Sequence, residues 1–507
     1  MTDVFKRLIL FTETLVNGGV VPGLGIALLN NSESWPNKYT QTFGTRQMID
    51  GNSVPLDNNT VFQVASISKF ISSTSYAWSR NKQGVKSPNT KIKSVQFSKK
   101  YVTNNMTIED GLSHRSGLIN NCPDILQLIG YDQNTLTNAL AYSPIQNYRA
   151  NFLYQNYMFT LAYNIGINNL HYLKEYLNES NMNNTYTTYN IIKSLNNVCY
   201  PFYKKNNIWN QNILYNNNVI LPAGGIACTL TDLLVVLDQH VNSLINFDDN
   251  YMARILSVQE IDGVYHSQPV NGEYYGLGTA IFYRNISDGK NLMSRTIGSL
   301  HKYYGHAGAY ISGNEHMLIV SPDLGFGIVI LTNAFTGIAY ALSQAFLVGY
   351  YTNNYDLAIE AYNILYNEIK DDIPPFPIPI EGNTINDSSL DGEYFSNFGQ
   401  YLQIRTTNNI TSIKLGNLEY TNLLLVNNDI VFTSYDIDDI PLNGWLQIDN
   451  NQFVIKFIGN STPDPHANYL TIIYNTNTNT NTNTNYYWIA IVFILLFILI
   501  IFIMISQ

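Results

Sequence analysis

Apolar and polar positions change rhythm several times along this chain of 507 residues. Leu8 to Val16 repeats apolar residues at helical spacing, and Gly23 to Leu29 is a short, nearly continuous apolar run of strand length. Helical patterns follow Ser66, Thr107, Tyr154 and Thr229. Met317 to Asn333 (MLIVSPDLGFGIVILTN) predicts two strands around a Pro-Asp-Leu-Gly turn. Helices mixed with hairpins predict an α/β or α+β domain over residues 1–372, an antiparallel sheet flanked by helices. The pattern then changes. Pro374, Pro375, Pro377 and Pro379 prevent helix and predict a linker over 373–384. From 385 to 474 the chain reads as short strands (YLQIR, TSIKL, DIVFTS, WLQID, QFVIKFI, YLTIIY) separated by turn residues, the spacing of a small all-β barrel or sandwich.

The end of the chain is different again. An alternating Thr-Asn tract over 475–485 can bury nothing and reads as a flexible stalk. Tyr486 to Ser506 carries no charged residue and is apolar on every face. About 20 such residues span a hydrocarbon core of ~30 Å, and Tyr486, Tyr487 and Trp488 open the run as an interfacial aromatic belt. A single-pass transmembrane helix is expected at 486–506, with the lipid bilayer as a partner. Leu8 to Phe11 is too short for a signal-peptide core, which puts the body on the cytosolic side in this reading.

Composition narrows the function. With 27 Lys+Arg against 37 Asp+Glu the formal charge is −10, and no basic cluster stands out, which argues against nucleic acid as a partner. Cys122, Cys199 and Cys228 are scattered and odd in number, suggesting neither a disulfide framework nor a zinc site. H-E-x-x-H, paired C-x-x-C, Walker and G-x-S-x-G motifs are all absent, so no metal or cofactor is expected.

What remains is serine chemistry of another kind. Ser-x-x-Lys starts at Ser66, Ser79, Ser287 and Ser299, and context separates the four. Ser66 follows an apolar run, Val61 to Ala65, and begins a predicted helix, so Ser66 and Lys69 share one face, one turn apart. A serine there sits at the positive end of a helix dipole, among N–H groups able to hold an oxyanion. The lysine can take or relay the hydroxyl proton if burial depresses its pKa. A serine N-cap followed by a surface lysine is the plainer alternative from the tetrapeptide alone.

Further segments decide the context. Tyr154-Gln155-Asn156 lies 88 residues after Ser66, and His306-Ala307-Gly308 follows in YYGHAGAY. Val21-Pro22-Gly23, TIEDGLSHRSGL at Thr107 to Leu118, LPAGGIACTLTDL at Leu221 to Leu233 and Tyr275-Gly276-Leu277-Gly278 fall between and around them. In this order the segments resemble the serine β-lactamase and penicillin-binding protein superfamily, in particular its class C and esterase-like branch, over roughly residues 8 to 350. The resemblance implies a β-lactamase/transpeptidase-like fold with a helical subdomain, and a lipocalin-like C-terminal module. It implies Ser66 as nucleophile, Lys69 and Tyr154 sharing the base and acid roles, and Asn156, His306, Gly308 and Ala309 contacting a small-molecule or peptide substrate. Backbone N–H groups of Ser66 and Ala309 would form the oxyanion hole.

Two departures bear on substrate. Asn181 to Thr185 matches the family's Leu-Gly-Met turn only loosely, and His306 stands where true β-lactamases carry lysine. Histidine is mostly neutral at pH 7, which favours an ester or peptide bond without an obligatory carboxylate nearby. A true β-lactamase and a catalytically inactive binding protein of the same fold remain alternatives. His114 is expected to have a structural hydrogen-bonding role, His301 to be a loop residue, Asp232 to be a first-turn charge of a helix, and Gly224 and Gly225 to allow a tight turn at the cleft.

Overall fold

The computed structural model describes residues 2–118, 127, 131–250, 255–284, 301–370, 383–458 and 472–476, with short gaps inside these ranges. Gly23–Asn30, GLGIALLN, is buried at every position, so no polar and apolar alternation could appear in it. The alternation is instead between two cores. Leu24, Ile26 and Leu28 enter one apolar cluster, Ala27 and Leu29 the other. The same division runs through Glu315–Ser321 and Phe326–Thr332, where Met317, Ile319, Ile328 and Ile330 face one way and Leu318, Val320, Val329 and Leu331 the other. A period of two with both faces covered is the signature of a sheet between helical layers.

Among the described residues that sheet has nine antiparallel strands in the order Asn52–Pro55, Lys38–Ile49, Gly23–Asn30, Phe326–Thr332, Glu315–Ser321, His301–Ala309, Ala280–Arg284, Glu273–Tyr275 and Ile255–Leu256. Helices Asp3–Asn17, Ile338–Thr352 and Tyr355–Ile369 cover one face; Leu230–Val241 and Ile67–Ser79 lie on the other, with the helical subdomain beyond. The expected turn after Ser321 is a 3₁₀ turn, Pro322–Leu324, closed by Gly325 at φ 61. Helix starts fall where the sequence placed them. Thr107 builds a capping box with Asp110, and the Thr229 hydroxyl accepts from the Asp232 N–H.

Ile67–Ser79 is the central helix, and all but one of its residues are buried although half are hydroxylic or small. Its hydroxyls find hydrogen-bond partners nearby, as burial demands. Ser72 Oγ donates to Pro222 O at 2.8 Å, Thr74 Oγ1 to Phe70 O at 2.8 Å and Ser73 Oγ to Leu277 O. Small side chains let the helix lie against the Leu221–Gly225 turn and the strand His301–Ala309.

Beyond residue 382 the described residues form a second antiparallel sheet, of ten strands, from Asn383–Thr384 to Ile472–Thr476; five of the six strand-like segments read from the sequence fall in it, and so does the described end of the sixth, Ile472 to Tyr474. Leu402, Ile404, Ile413 and Leu423 are buried there. The span read as a linker thus ends in a short strand, Asn383–Thr384, paired with Leu424 and Leu425. The proline run, most of the Thr-Asn stalk and the expected membrane segment at 486–506 lie outside the described residues. Among the described residues no helix is long and apolar enough to cross a membrane.

Candidate active site

Val61 to Ala65 ends in an unusual turn. Ala65 has φ +46, a left-handed conformation that costs an L residue roughly 1–2 kcal/mol. It turns the chain from the short strand Phe62–Gln63 into the helix, leaving Ser66 at the N-cap with no side-chain capping bond of its own. The Ser66 hydroxyl is therefore not spent on the helix. Its Oγ accepts from Lys69 Nζ at 3.1 Å and from Tyr154 Oη at 2.7 Å.

Lys69 is fully buried. Besides Ser66 Oγ, its Nζ donates to Asn156 Oδ1 at 2.6 Å and to the carbonyl of Ala223 at 2.8 Å. Those two groups can only accept from a lysine, which also fixes the Asn156 amide with its oxygen toward Nζ. An ammonium would donate all three of its protons here. A neutral amine would keep the two fixed bonds and turn its lone pair to the serine proton, so both protonation states are accommodated. The Tyr154 ring lies over Nζ, with its centroid 4.6 Å away.

Gly308 brings the opposite wall close. A Cβ there would meet Val64 O at 2.5 Å and Ile67 N at 3.1 Å, so only glycine lets the strand run flush against the nucleophile turn. The pairing then aims Ala309. Tyr310 N–H donates to Asn314 O at 2.9 Å, which makes that pair hydrogen-bonded and its neighbour, Ala309 opposite Glu315, non-hydrogen-bonded. The Ala309 N–H therefore points away from Glu315–Ser321, toward the side on which Ala280–Arg284 pairs with the strand from His301 to Gly305. The turn at Val64 to Ile67 packs over the strand at Gly308, one residue before. Gly308, next to Ala309, thus lies directly against the turn that carries Ser66.

His306 sits in the same strand but is 5 % exposed. Its Nδ1–H donates to the Ala307 carbonyl at 2.5 Å, which leaves Nε2 to accept from the Tyr275 hydroxyl at 2.8 Å. Burial, reinforced by the charge of Lys69, holds its pKa down at about 3. The ring is neutral and both nitrogens are engaged. Burial and Tyr154 raise the Tyr275 phenol well above its ordinary value, so it remains a hydrogen-bond donor.

The structure thus brings together Ser66, Lys69, Tyr154 and Asn156, with Gly308 against the nucleophile turn and Ala309 next to it in the strand. His306 lies in the wall behind them. His301 begins its strand. Asp232 does more than charge a first turn: its Oδ2 accepts from Asn184 N at 2.9 Å and Thr185 Oγ1 at 2.7 Å, tethering the segment that matched the family turn loosely. Gly225 is needed where a Cβ would meet Asn217 O at 2.8 Å. Sequence reasoning missed the Ala223 carbonyl and the strained Ala65. Neither has a side-chain signature, though LPAGG pointed to the segment that supplies the first.

The beta-lactamase family profile matches residues 11–351. The chain belongs to the beta-lactamase family. Membership places it among the serine hydrolases. Similar solved structures include the octameric penicillin-binding protein homologue from Pyrococcus abyssi, 16% identical, with TM-score 0.56, covering 93% of this chain and 100% of that one. Two class C beta-lactamases, each 15% identical with TM-score 0.51, cover 68% and 69% of this chain and 97% and 95% of theirs. At such identities these likenesses speak for the fold. No curated protein matches the sequence.

Proposed function

We propose that this beta-lactamase family member hydrolyses an uncharged ester or amide through an acyl-enzyme on Ser66. The observation that carries the reading is the convergence on one hydroxyl of Lys69 Nζ at 3.1 Å and Tyr154 Oη at 2.7 Å. Ser66 Oγ attacks the carbonyl carbon while its proton passes to the Lys69–Tyr154 unit. The tetrahedral oxyanion is held by the N–H groups of Ser66 and Ala309 at the helix N-terminus. The same unit returns the proton to the leaving group. Water then repeats the sequence to free the acid and restore the serine. Asn156, its oxygen turned to Lys69, orients the substrate amide or carbonyl.

Neutral His306 supports the choice of substrate. A wall whose histidine is locked between a carbonyl and a phenol offers no charge to a substrate carboxylate, and the rings of Phe152, Tyr154 and Tyr275, packed 5.2 to 6.3 Å apart, give an apolar surface instead. Activated neutral esters should be cleaved in preference to carboxylate-bearing β-lactams, and His306→Lys should move that preference toward the carboxylate. Faster turnover of penicillins than of neutral esters by the natural chain would contradict this reading. A tether to the bilayer through residues 486–506 rests on the composition of that segment.

A further inference from the structure

Tyr154 has no regular structure of its own to aim it. It lies in extended chain just before helix Asn156–Gly166, whose N-cap, Gln155, makes no side-chain capping bond. A small rotation of that backbone is amplified at the hydroxyl. Two backbone bonds that hold it come from one residue. Leu153 N–H donates to the His114 carbonyl at 2.9 Å, and Gln155 N–H donates to His114 Nδ1 at 3.1 Å. The backbone on both sides of Tyr154 is thereby fixed to His114, whose ring also lies against the Tyr154 ring at 4.4 Å and the Tyr275 ring at 5.0 Å.

We infer that His114 is a positioning residue that aims the Tyr154 hydroxyl at Ser66, an inference that rests on the catalytic reading given above. The residue is itself held for this purpose. It is fully buried, with φ +57, so its carbonyl and its ring reach the same strip of chain, one on each side of Tyr154. The strip is laid down further along by Arg149 N–H to Arg115 O at 3.0 Å and Gln146 N–H to Gly117 O at 2.6 Å. Accepting at Nδ1 puts the proton of the neutral imidazole on Nε2. Burial, then the charge of Lys69 and the neighbouring His306, keep the ring's pKa well below its ordinary value, so the acceptor persists at working pH.

A double-mutant cycle in the full chain tests this, with p-nitrophenyl acetate as substrate. His114→Phe keeps a ring and loses the acceptor. His114→Asn loses the ring but keeps a short acceptor and tolerates a positive φ. In an otherwise natural chain, His114→Phe should lower kcat about 10-fold or more with KM within about twofold, and His114→Asn should recover part of that loss. In a Tyr154→Phe background neither change should cost more than about twofold, because the group being aimed is gone. If His114→Phe does not fold, the cycle with His114→Asn decides alone. Equal losses in both backgrounds, or an Asn variant no better than Phe, overturn the inference. A Tyr154→Phe chain with the natural rate would instead remove the role of Tyr154 and the inference with it.

Discussion

Gly308→Ala isolates the geometry of the oxyanion donors. Gly308 does not have a positive φ, so the backbone tolerates alanine and only space opposes it. The new Cβ would lie 2.5 Å from Val64 O and 3.1 Å from Ile67 N, where ordinary contact begins at 3.4 Å. The strand His301–Ala309 and the nucleophile turn must therefore separate by about 0.9 Å, while the Ser66 N–H stays with its helix and the Ala309 N–H moves with its strand. Losing one such donor costs about 10²–10³ in kcat, and a misplacement near 1 Å costs about 10², so a loss of ~100-fold in kcat is expected with a smaller change in KM. Overpacking of this kind should lower stability by about 1–3 kcal/mol, leaving a folded protein to assay. Steady-state kinetics on p-nitrophenyl acetate beside thermal unfolding separates the two effects. A folded Gly308→Ala chain with kcat within about threefold of the natural one would refute the claim that this contact sets the oxyanion site.

Glu315 gives a pH signature. Burial pushes its carboxyl up to about 7, against lowering hydrogen bonds from the N–H groups of Thr336 and Gly337 at 3.1 and 2.7 Å, so the native state keeps a proton that the unfolded state loses near 4.5. Stability should therefore fall as pH rises from about 4.5 to 7, by about 3 kcal/mol at the upper end, and Glu315→Gln should flatten this slope. Urea midpoints of both proteins across that range give the difference, in which the buried histidines common to both cancel; equal slopes would contradict the assignment. The full chain should stay with the membrane on carbonate extraction, and ending it near Tyr474 should abolish that association. A full chain that stays in the supernatant would contradict the anchor.

Much of the site was legible because its side chains carry their own chemistry. Ser66, Lys69 and Tyr154 stand out as residue types in an order, and the helix following Ser66 predicted that the first two share a face. The sheet was legible as strands but not as a layer. Gly23–Asn30 is apolar at both parities, so its division between two cores appears only when Phe326–Thr332 pairs with it. The carbonyl of Ala223, the φ of Ala65 and the outward Ala309 N–H are main-chain properties that no side chain announces. His114 was read as structural, and it makes structural hydrogen bonds. That they grip both sides of Tyr154 depends on a long-range approach, which one sequence does not contain.

Covalent capture tests the central claim most directly. The full chain, treated with a fluorophosphonate and digested, should yield one modified peptide, carrying the adduct on Ser66, by tandem mass spectrometry. Lys69→Met should slow that labelling strongly, and Ser66→Ala should abolish it while remaining folded. An adduct on another residue, or none in a folded chain, would contradict the account.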